Sequence, residues 1–210
     1  MTRSSPPLAA LALALCVGAC SATSPAPPAH MGTQHYPWQL QEPAAFGADF
    51  LWRQKVTARF GKRELSFRAV VQKQANVLTL IGLGPAGSKA FVLKQTGAEV
   101  DFRSLMPKKL PFPPRYILTD IQRAWLPLGG QVDDADGERA LVVADEIAVE
   151  IRAQGRRTER RFTRKSGQPA GTITVRYQSS PASGKPGPVR LDNGWFGYSL
   201  IIETLEARSL

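Results

Sequence analysis

From about residue 48 onward, apolar and polar residues alternate with a period of two in short segments that are separated by turn residues. Five such segments come first: ADFLWRQKVTARF, RELSFRAVVQ, ANVLTLIGL, SKAFVLKQ and AEVDFRS. After residue 137 the pattern resumes: ERALVVA, EIAVEIRA, RRTERRFTR, GTITVRYQ, VRL and WFGYSLIIETL. Closely spaced strands with turn signals between them indicate an antiparallel meander. The sequence therefore predicts a mainly β domain of about eleven antiparallel strands.

The period changes to that of a helix in RYILTDIQRAWL, after the proline-rich loop 106–114. Apolar residues there recur at the spacing of one helix face: Ile117, Leu118, Ile121, Trp125 and Leu126. This pattern is typical of an amphipathic helix. Pro127 and the Gly129-Gly130 pair end it. We expect one internal helix of about three turns, with its apolar side turned inward.

Several predicted strands are apolar on both faces, which a half-solvated sheet does not need. Such strands fit a strongly curved sheet that holds the helix in its concavity, or that encloses an apolar cavity with it. The candidate cavity residues come from two strands and the helix: Leu78, Leu80, Phe91, Leu93, Ile117, Ile121 and Trp125. Residues of this kind are more often part of a filled core than contacts to a ligand, so the filled core remains the alternative.

The stretch GLGPAG (82–87) has the glycine spacing of a dinucleotide-binding fingerprint. That fingerprint must open a helix whose N-terminus holds the pyrophosphate. Here a strand pattern follows, and Pro85 has no N–H to offer a phosphate. The glycines therefore indicate a hairpin turn, and no cofactor is expected.

The N-terminus has the form of a secretory signal, with Arg3 followed by an apolar run that is too short to span a bilayer. The run ends in Val17-Gly18-Ala19-Cys20, which resembles the lipobox of bacterial lipoproteins. The resemblance implies that residues 1–19 are removed and that Cys20 is lipidated. An ordinary secretory signal is the alternative. Residues 20–45 begin with a Pro/Ala/Ser-rich stretch that indicates a flexible tether. One domain is expected over 46–210.

Composition narrows the range of functions. The net charge is +10, which favours either a solvated basic surface or contact with anionic lipid head groups rather than nucleic acid in an envelope protein. Both histidines lie near the predicted tether, and DDADGE (133–138) lacks the ligand pattern of a calcium loop. Asp120 is expected to pair with an arginine such as Arg53. Segment 156–164 resembles a charged edge strand. No catalytic group or metal site is predicted.

Several short motifs together resemble one family of bacterial lipoproteins. They are Trp52-Arg53-Gln54, Gly84-Pro85-x-Gly87, Asp120-Ile121-Gln122 with Trp125 and Pro127, and Gly197-Tyr198. Members of this family are encoded among aryl-polyene and fatty-acid-synthase-like genes, and the family is distantly similar to LolB, the outer-membrane receptor for lipoproteins. The resemblance implies a half-open antiparallel β-barrel with a helix over its concave face.

The resemblance also implies a function: an outer-membrane-anchored, periplasmic and non-enzymatic lipoprotein that binds or transfers an acyl or polyene lipid, or the acyl chain of a lipoprotein. Exposed apolar loop residues would help insertion into the membrane, and the candidates here are Leu105, Met106, Leu110 and Phe112. The alternative is a scaffold lipoprotein with a filled core, which would use segment 156–164 as a docking edge for a partner protein.

Overall fold

The computed structural model describes residues 36, 38–84, 86–106, 112–128, 135–167, 169–179 and 185–210. Eleven strands form one antiparallel sheet in the order β5-β4-β3-β2-β1-β11-β10-β9-β8-β7-β6. Their bounds are β1 Phe50–Phe60, β2 Arg63–Gln74, β3 Val77–Leu83, β4 Lys89–Thr96, β5 Glu99–Ser104, β6 Gly137–Val143, β7 Glu146–Ala153, β8 Arg156–Arg164, β9 Ile173–Tyr177, β10 Val189–Asn193 and β11 Tyr198–Ser209. One helix, α1, spans Arg115–Trp125. The predicted fold class is confirmed.

The strand register shows which face of the sheet carries the helix. One row of paired residues crosses five adjacent strands: Phe67, Val56, Ile202, Val189 and Tyr177. At the end of this row the Tyr177 hydroxyl donates a hydrogen bond to the carbonyl oxygen of Ala124 in α1, at 2.7 Å. The helix therefore lies on the same face as this row, which we call the inner face.

The GLGPAG stretch connects β3 to β4 as a hairpin, as the sequence predicts. The Gly84 N–H donates to the Ser88 carbonyl at 2.8 Å, and Gly87 has a φ of 77°, which favours glycine. Gly82 has a different role. It pairs with Phe91 across the strands, and a Cβ added at Gly82 would lie 2.2 Å from the Phe91 ring. The absence of a side chain lets that ring lie flat over the β3 backbone.

The expectation that segment 156–164 forms an edge strand is wrong. This segment is β8, which is hydrogen-bonded to β7 on one side and to β9 on the other. Its inward residues Arg160 and Phe162 are fully buried. The arginines suit an interior position because acidic residues on the neighbouring strands pair with them. The edges of the sheet are β5 and β6.

The N-terminal part of the described chain packs against the domain, although the sequence places it in the flexible tether 20–45. Residues 36 and 38–46, which we call the strap, include buried Tyr36, Trp38 and Leu40. A short 3-10 turn over Pro43–Phe46 leads into β1. The strap carries Tyr36, Trp38 and Leu40, whose large apolar side chains gain free energy when they are buried against the domain.

Some predictions concern residues outside the described part of the chain. These are the signal peptide, the lipidated Cys20 and Leu110 of the proposed insertion loop. Within the described residues, no helix is long and apolar enough to cross a membrane.

Candidate functional site

The burial of α1 differs in part from what its sequence pattern predicts. Its polar side is buried, including Asp120, Gln122 and Arg123. Three of its apolar residues, Ile117, Ile121 and Trp125, are only partly buried. They recur every four residues and so form one stripe along the helix, which we call the apolar edge of α1. Leu118 and Leu126 are buried, so the prediction of an inward apolar side holds only in part.

Asp120 is held by two tyrosines from distant parts of the chain. The Tyr198 hydroxyl of β11 donates to its carboxylate at 2.5 Å, and the Tyr36 hydroxyl of the strap donates to the other oxygen. The Asn193 side-chain amide donates in turn to the Tyr36 hydroxyl at 3.1 Å. Burial raises the pKa of Asp120 to about 6, against the opposing charge of Arg123. The expected pair with Arg53 does not form, because Arg53 lies on the outer face and contacts Glu206 at 3.1 Å.

Arg123 is enclosed by aromatic rings and one carboxylate. Its guanidinium contacts Glu146 of β7 at 2.6 Å, and both side chains are fully buried. The guanidinium carbon lies 4.3 Å from the ring centroid of Tyr36, 5.4 Å from that of Trp38 and 5.1 Å from that of Trp195. Because cation–π contacts strengthen when water is excluded, this box holds the strap, α1, β7 and the turn between β10 and β11 together.

Gln122 binds the strap to the sheet. Its side-chain oxygen accepts hydrogen bonds from the Trp38 indole and from the Gln41 backbone N–H, each at 2.9 Å. Its side-chain nitrogen donates to the Gln41 carbonyl at 2.8 Å. Gln95 of β4 donates to the same carbonyl at 2.8 Å. The buried polar side chains Asp120, Gln122 and Arg123 therefore belong to a network of contacts that fixes α1 in place.

The sequence-predicted cavity residues fall into two groups. Leu78, Leu80, Phe91 and Leu93 lie on the inner face of β3 and β4 and are buried in the core. Ile117, Ile121 and Trp125 lie on α1 and are partly exposed. Trp125 packs edge-to-face on Trp52 of β1, with ring centroids 5.2 Å apart. Trp52 belongs to the inner-face row that contains Leu80, Leu93 and Phe102.

The residues proposed for membrane insertion also differ among themselves. Leu105 and Met106 follow β5 at the edge of the sheet and are 47% and 36% exposed. Phe112 is partly buried and packs against the core, so its side chain is less available for insertion into a membrane than those of Leu105 and Met106. Leu110 lies outside the described residues.

Several residues of the site were missed by the sequence analysis: Tyr36, Trp38, Glu146, Asn193 and Trp195. They lie in the strap, in loops or at strand ends, where no periodic pattern marks them. Asp136 of the acidic turn accepts from the backbone N–H groups of Gln154 and Gly155, both at 2.7 Å. Among the residues that the structure describes, no group of three or more His, Cys, Asp or Glu side chains could hold a metal ion.

Comparison with solved structures gives matches across most of the chain. A LolA superfamily protein from Nitrosomonas europaea is 13% identical, with 82% of this chain and 89% of that chain covered and a TM-score of 0.45. A Vibrio parahaemolyticus domain described as an outer membrane lipoprotein-sorting protein is 10% identical, with 77% and 85% covered and a TM-score of 0.52. The likeness to the second structure shows that the two chains share a fold.

At the level of sequence, no curated protein matches the chain. The family model described as "Protein of unknown function (DUF3261)" matches residues 51–206, which cover the sheet from β1 to β11 and the helix. The chain therefore belongs to the DUF3261 family.

Proposed function

We propose that this chain is a non-enzymatic envelope lipoprotein that binds a hydrophobic chain, either an acyl or polyene lipid or the acyl chain of a lipoprotein, along the apolar edge of α1. The observation that carries the proposal is that one apolar stripe of the helix stays partly exposed while its polar side is buried. A soluble protein normally buries the apolar side of a helix and exposes the polar one. Here Ile117, Ile121 and Trp125 remain partly exposed while Asp120, Gln122 and Arg123 are buried.

The place of the ligand follows from what holds the helix. Displacing α1 would break the contacts of Gln122 to the strap and of Asp120 to Tyr198, and would leave buried polar groups without partners. We therefore expect the hydrophobic chain of the ligand to lie along the apolar edge of α1, against the inner face of the sheet near Trp52. The helix stays in place when the ligand binds. Leu78, Leu80, Phe91 and Leu93 are buried beneath the helix, where they support the site without contacting a ligand that lies on the apolar edge.

The energy of such a site does not require polar specificity. Each methylene removed from water contributes about 0.8 kcal/mol. A chain of about ten carbons is therefore bound usefully even if it is only half covered. The fold shared with the Vibrio parahaemolyticus domain described as a lipoprotein-sorting protein supports this class of ligand.

Anchoring at the outer membrane belongs to the same proposal. The Val17-Gly18-Ala19-Cys20 sequence supplies a lipidation site, and the tether after Cys20 gives the domain reach from the membrane. Leu105 and Met106, exposed at the sheet edge, supply apolar side chains that enter the lipid surface during transfer. An aryl-polyene lipid is the cargo suggested by the gene neighbourhood that the family resemblance implies.

Binding is tested with the full chain carrying Cys20→Ser, which removes the predicted lipidation site. A fluorescent polyene fatty acid is titrated into the protein, and the increase of its emission in an apolar environment reports occupancy. We expect saturable binding by the parent chain. Ile121→Gln is expected to weaken binding at least fivefold without lowering the melting temperature by more than a few degrees, because Ile121 is partly exposed.

Val142→Gln is the matched control, since Val142 is exposed at the β6 edge, far along the sheet order from β1. It should leave both binding and melting unchanged. Absence of saturable binding by the parent chain would contradict the carrier function and favour the scaffold alternative. Equal loss of binding in both variants would place the ligand elsewhere on the surface.

A further inference from the structure

A pocket opens at the C-terminal end of the apolar edge of α1, where β8 begins and β9 ends. Its volume is about 250 Å³, and its walls include Trp125, Tyr177, Arg156, Arg157 and Thr158. We call it the rim pocket. Trp125 belongs both to the rim pocket and to the apolar edge. The two features are therefore continuous.

Positive charge is in excess around the rim pocket. One carboxylate, that of Glu150, contacts three arginines: Arg157 at 2.8 Å, Arg160 at 2.8 Å and Arg152 at 3.3 Å. Arg156 is a fourth, exposed, and its side chain donates to Gln154 rather than to an acid. Asp136, which binds the β7–β8 turn, is the second carboxylate nearby. Among the described residues, the lining of the rim pocket carries two arginines, Arg156 and Arg157, and no carboxylate.

The opposite wall of the rim pocket is aromatic. The rings of Trp125 and Tyr177 lie 6.4 Å apart at 71°. The Arg157 guanidinium carbon lies 5.4 Å from the Tyr177 ring centroid. Arg157 is therefore held between a carboxylate and a ring, with its planar fork oriented in advance. Arginine forks of this kind match the oxygens of phosphate and carboxylate groups.

We propose that the rim pocket binds the anionic head group, phosphate or carboxylate, of an amphiphile whose chain follows the apolar edge of α1. Only the chain part rests on the function proposed above. From Trp125 to Ile117 the edge runs eight residues, or about 12 Å of helix. The head group then sits against Arg156 and Arg157 while the chain extends past Ile121. This arrangement selects acidic lipids over neutral ones.

The test compares amphiphiles that share a dodecyl chain, namely dodecyl phosphate and the neutral dodecyl maltoside. Both are titrated by calorimetry, below micelle formation, into the full chain with Cys20→Ser. We expect dodecyl phosphate to bind at least tenfold more tightly. Arg156→Gln combined with Arg157→Gln should reduce its affinity to that of the neutral compound. Arg156→Gln alone, which leaves the contacts of Glu150 intact, should remove part of the preference without affecting folding.

The matched control is Arg59→Gln combined with Arg208→Gln. These exposed arginines lie on β1 and β11, do not line the rim pocket, and contact Glu64 and Glu206. This control removes the same charge but should leave the preference for phosphate unchanged. If both double variants weaken binding equally, the effect is one of overall charge and the head-group site is overturned.

Two further outcomes separate this proposal from the carrier function. If both dodecyl compounds bind equally well, the chain site stands and the head-group site is overturned. If inorganic phosphate alone binds in an Arg156-dependent manner and neither dodecyl compound binds more tightly than phosphate, the pocket takes free anions, and the amphiphile assignment and the carrier function both fail.

Discussion

The Tyr198 hydroxyl on β11 donates a hydrogen bond to the Asp120 carboxylate on α1 at 2.5 Å, across 78 residues of sequence. Asp120-Ile121-Gln122 and Gly197-Tyr198 are separate motifs in the sequence, and in the structure they meet through this bond. It fixes the helix on the inner face and, with Tyr36, brings the strap to the same point. The contacts that hold α1 therefore determine which of its residues remain exposed for a ligand.

The raised pKa of Asp120 predicts that stability depends on pH. The carboxyl group has a pKa of about 6 in the folded protein against a reference value of 3.8, because burial disfavours its charged form. The stabilisation is complete below about pH 4, is lost as the pH rises through 6, and amounts to about 3 kcal/mol. The free energy of unfolding, measured by urea between pH 4.5 and 7.5, should fall accordingly.

Asp120→Asn should flatten that curve, since the titrating group is removed. Asp101→Asn, on exposed β5, serves as the control and should leave the curve unchanged. Parallel curves for the parent chain and Asp120→Asn would show that Asp120 titrates normally in the folded state.

The strap is expected to depend on Gln122. Replacing Gln122 by Ala leaves the buried Trp38 indole and the Gln41 backbone N–H without their acceptor, while the Gln41 carbonyl keeps its hydrogen bond from Gln95. We expect a loss of about 2–4 kcal/mol. Hydrogen exchange of the Gln41 amide should also become much faster. Gln72→Ala, on the outer face, is the control and should change neither the stability nor the exchange rate of the Gln41 amide. Slow exchange at Gln41 in Gln122→Ala would mean that other contacts hold the strap.

The close contact between Gly82 and Phe91 predicts that substitutions at these two positions have non-additive effects on stability. A Cβ at Gly82 would overlap the Phe91 ring at 2.2 Å, so Gly82→Ala should destabilise the protein by about 1–3 kcal/mol. In a Phe91→Leu background the same change should have a much smaller effect, which a double-mutant cycle measures. Gly84→Ala, whose Cβ would find its nearest atom at 3.4 Å, is the control. Additive effects of the Gly82 and Phe91 changes would contradict the contact.

Two glutamates that each contact more than one arginine should differ sharply in their contribution to stability. Glu150 contacts the fully buried Arg160, whereas Glu159 contacts Arg161 and Arg176, which are about half exposed. Glu150→Gln leaves a buried charge uncompensated and should cost about 3–5 kcal/mol. Glu159→Gln should cost less than about 1 kcal/mol. Comparable losses in urea unfolding would show that Arg160 has another source of compensation.

The pKa of Glu150 is lowered: burial acts against this, and the charges of Arg160 and Arg157 outweigh it. Its stabilising effect is therefore present at neutral pH and is lost as the pH falls below its ordinary value. In Glu150→Gln this part of the acid sensitivity should disappear. Ionisation of Glu150 stabilises the folded protein, whereas ionisation of Asp120 destabilises it. The two variants should therefore change the slope of unfolding free energy against pH in opposite directions.

The sequence by itself determined the eleven strands, the single helix and the hairpin at GLGPAG. Each of these depends on local features: a period of two or 3.6, and turn residues that end the run. Trp125 and Ile121 were also recognisable as apolar residues on one helix face. The burial of Leu78 and Leu93 followed from strands that are apolar on both faces.

Only the tertiary structure decided which strands are neighbours and which side of α1 is covered. Segment 156–164 is charged like an edge strand, yet β8 lies inside the sheet because partners such as Glu150 come from the adjacent strand. The polar side of α1 is buried because Tyr36, Tyr198, Glu146 and Gln95 supply hydrogen bonds to it from distant positions. A hydrophobic pattern reflects the free-energy cost of burying a polar group that has no partner. It contains no information about partners that the fold brings from distant parts of the sequence.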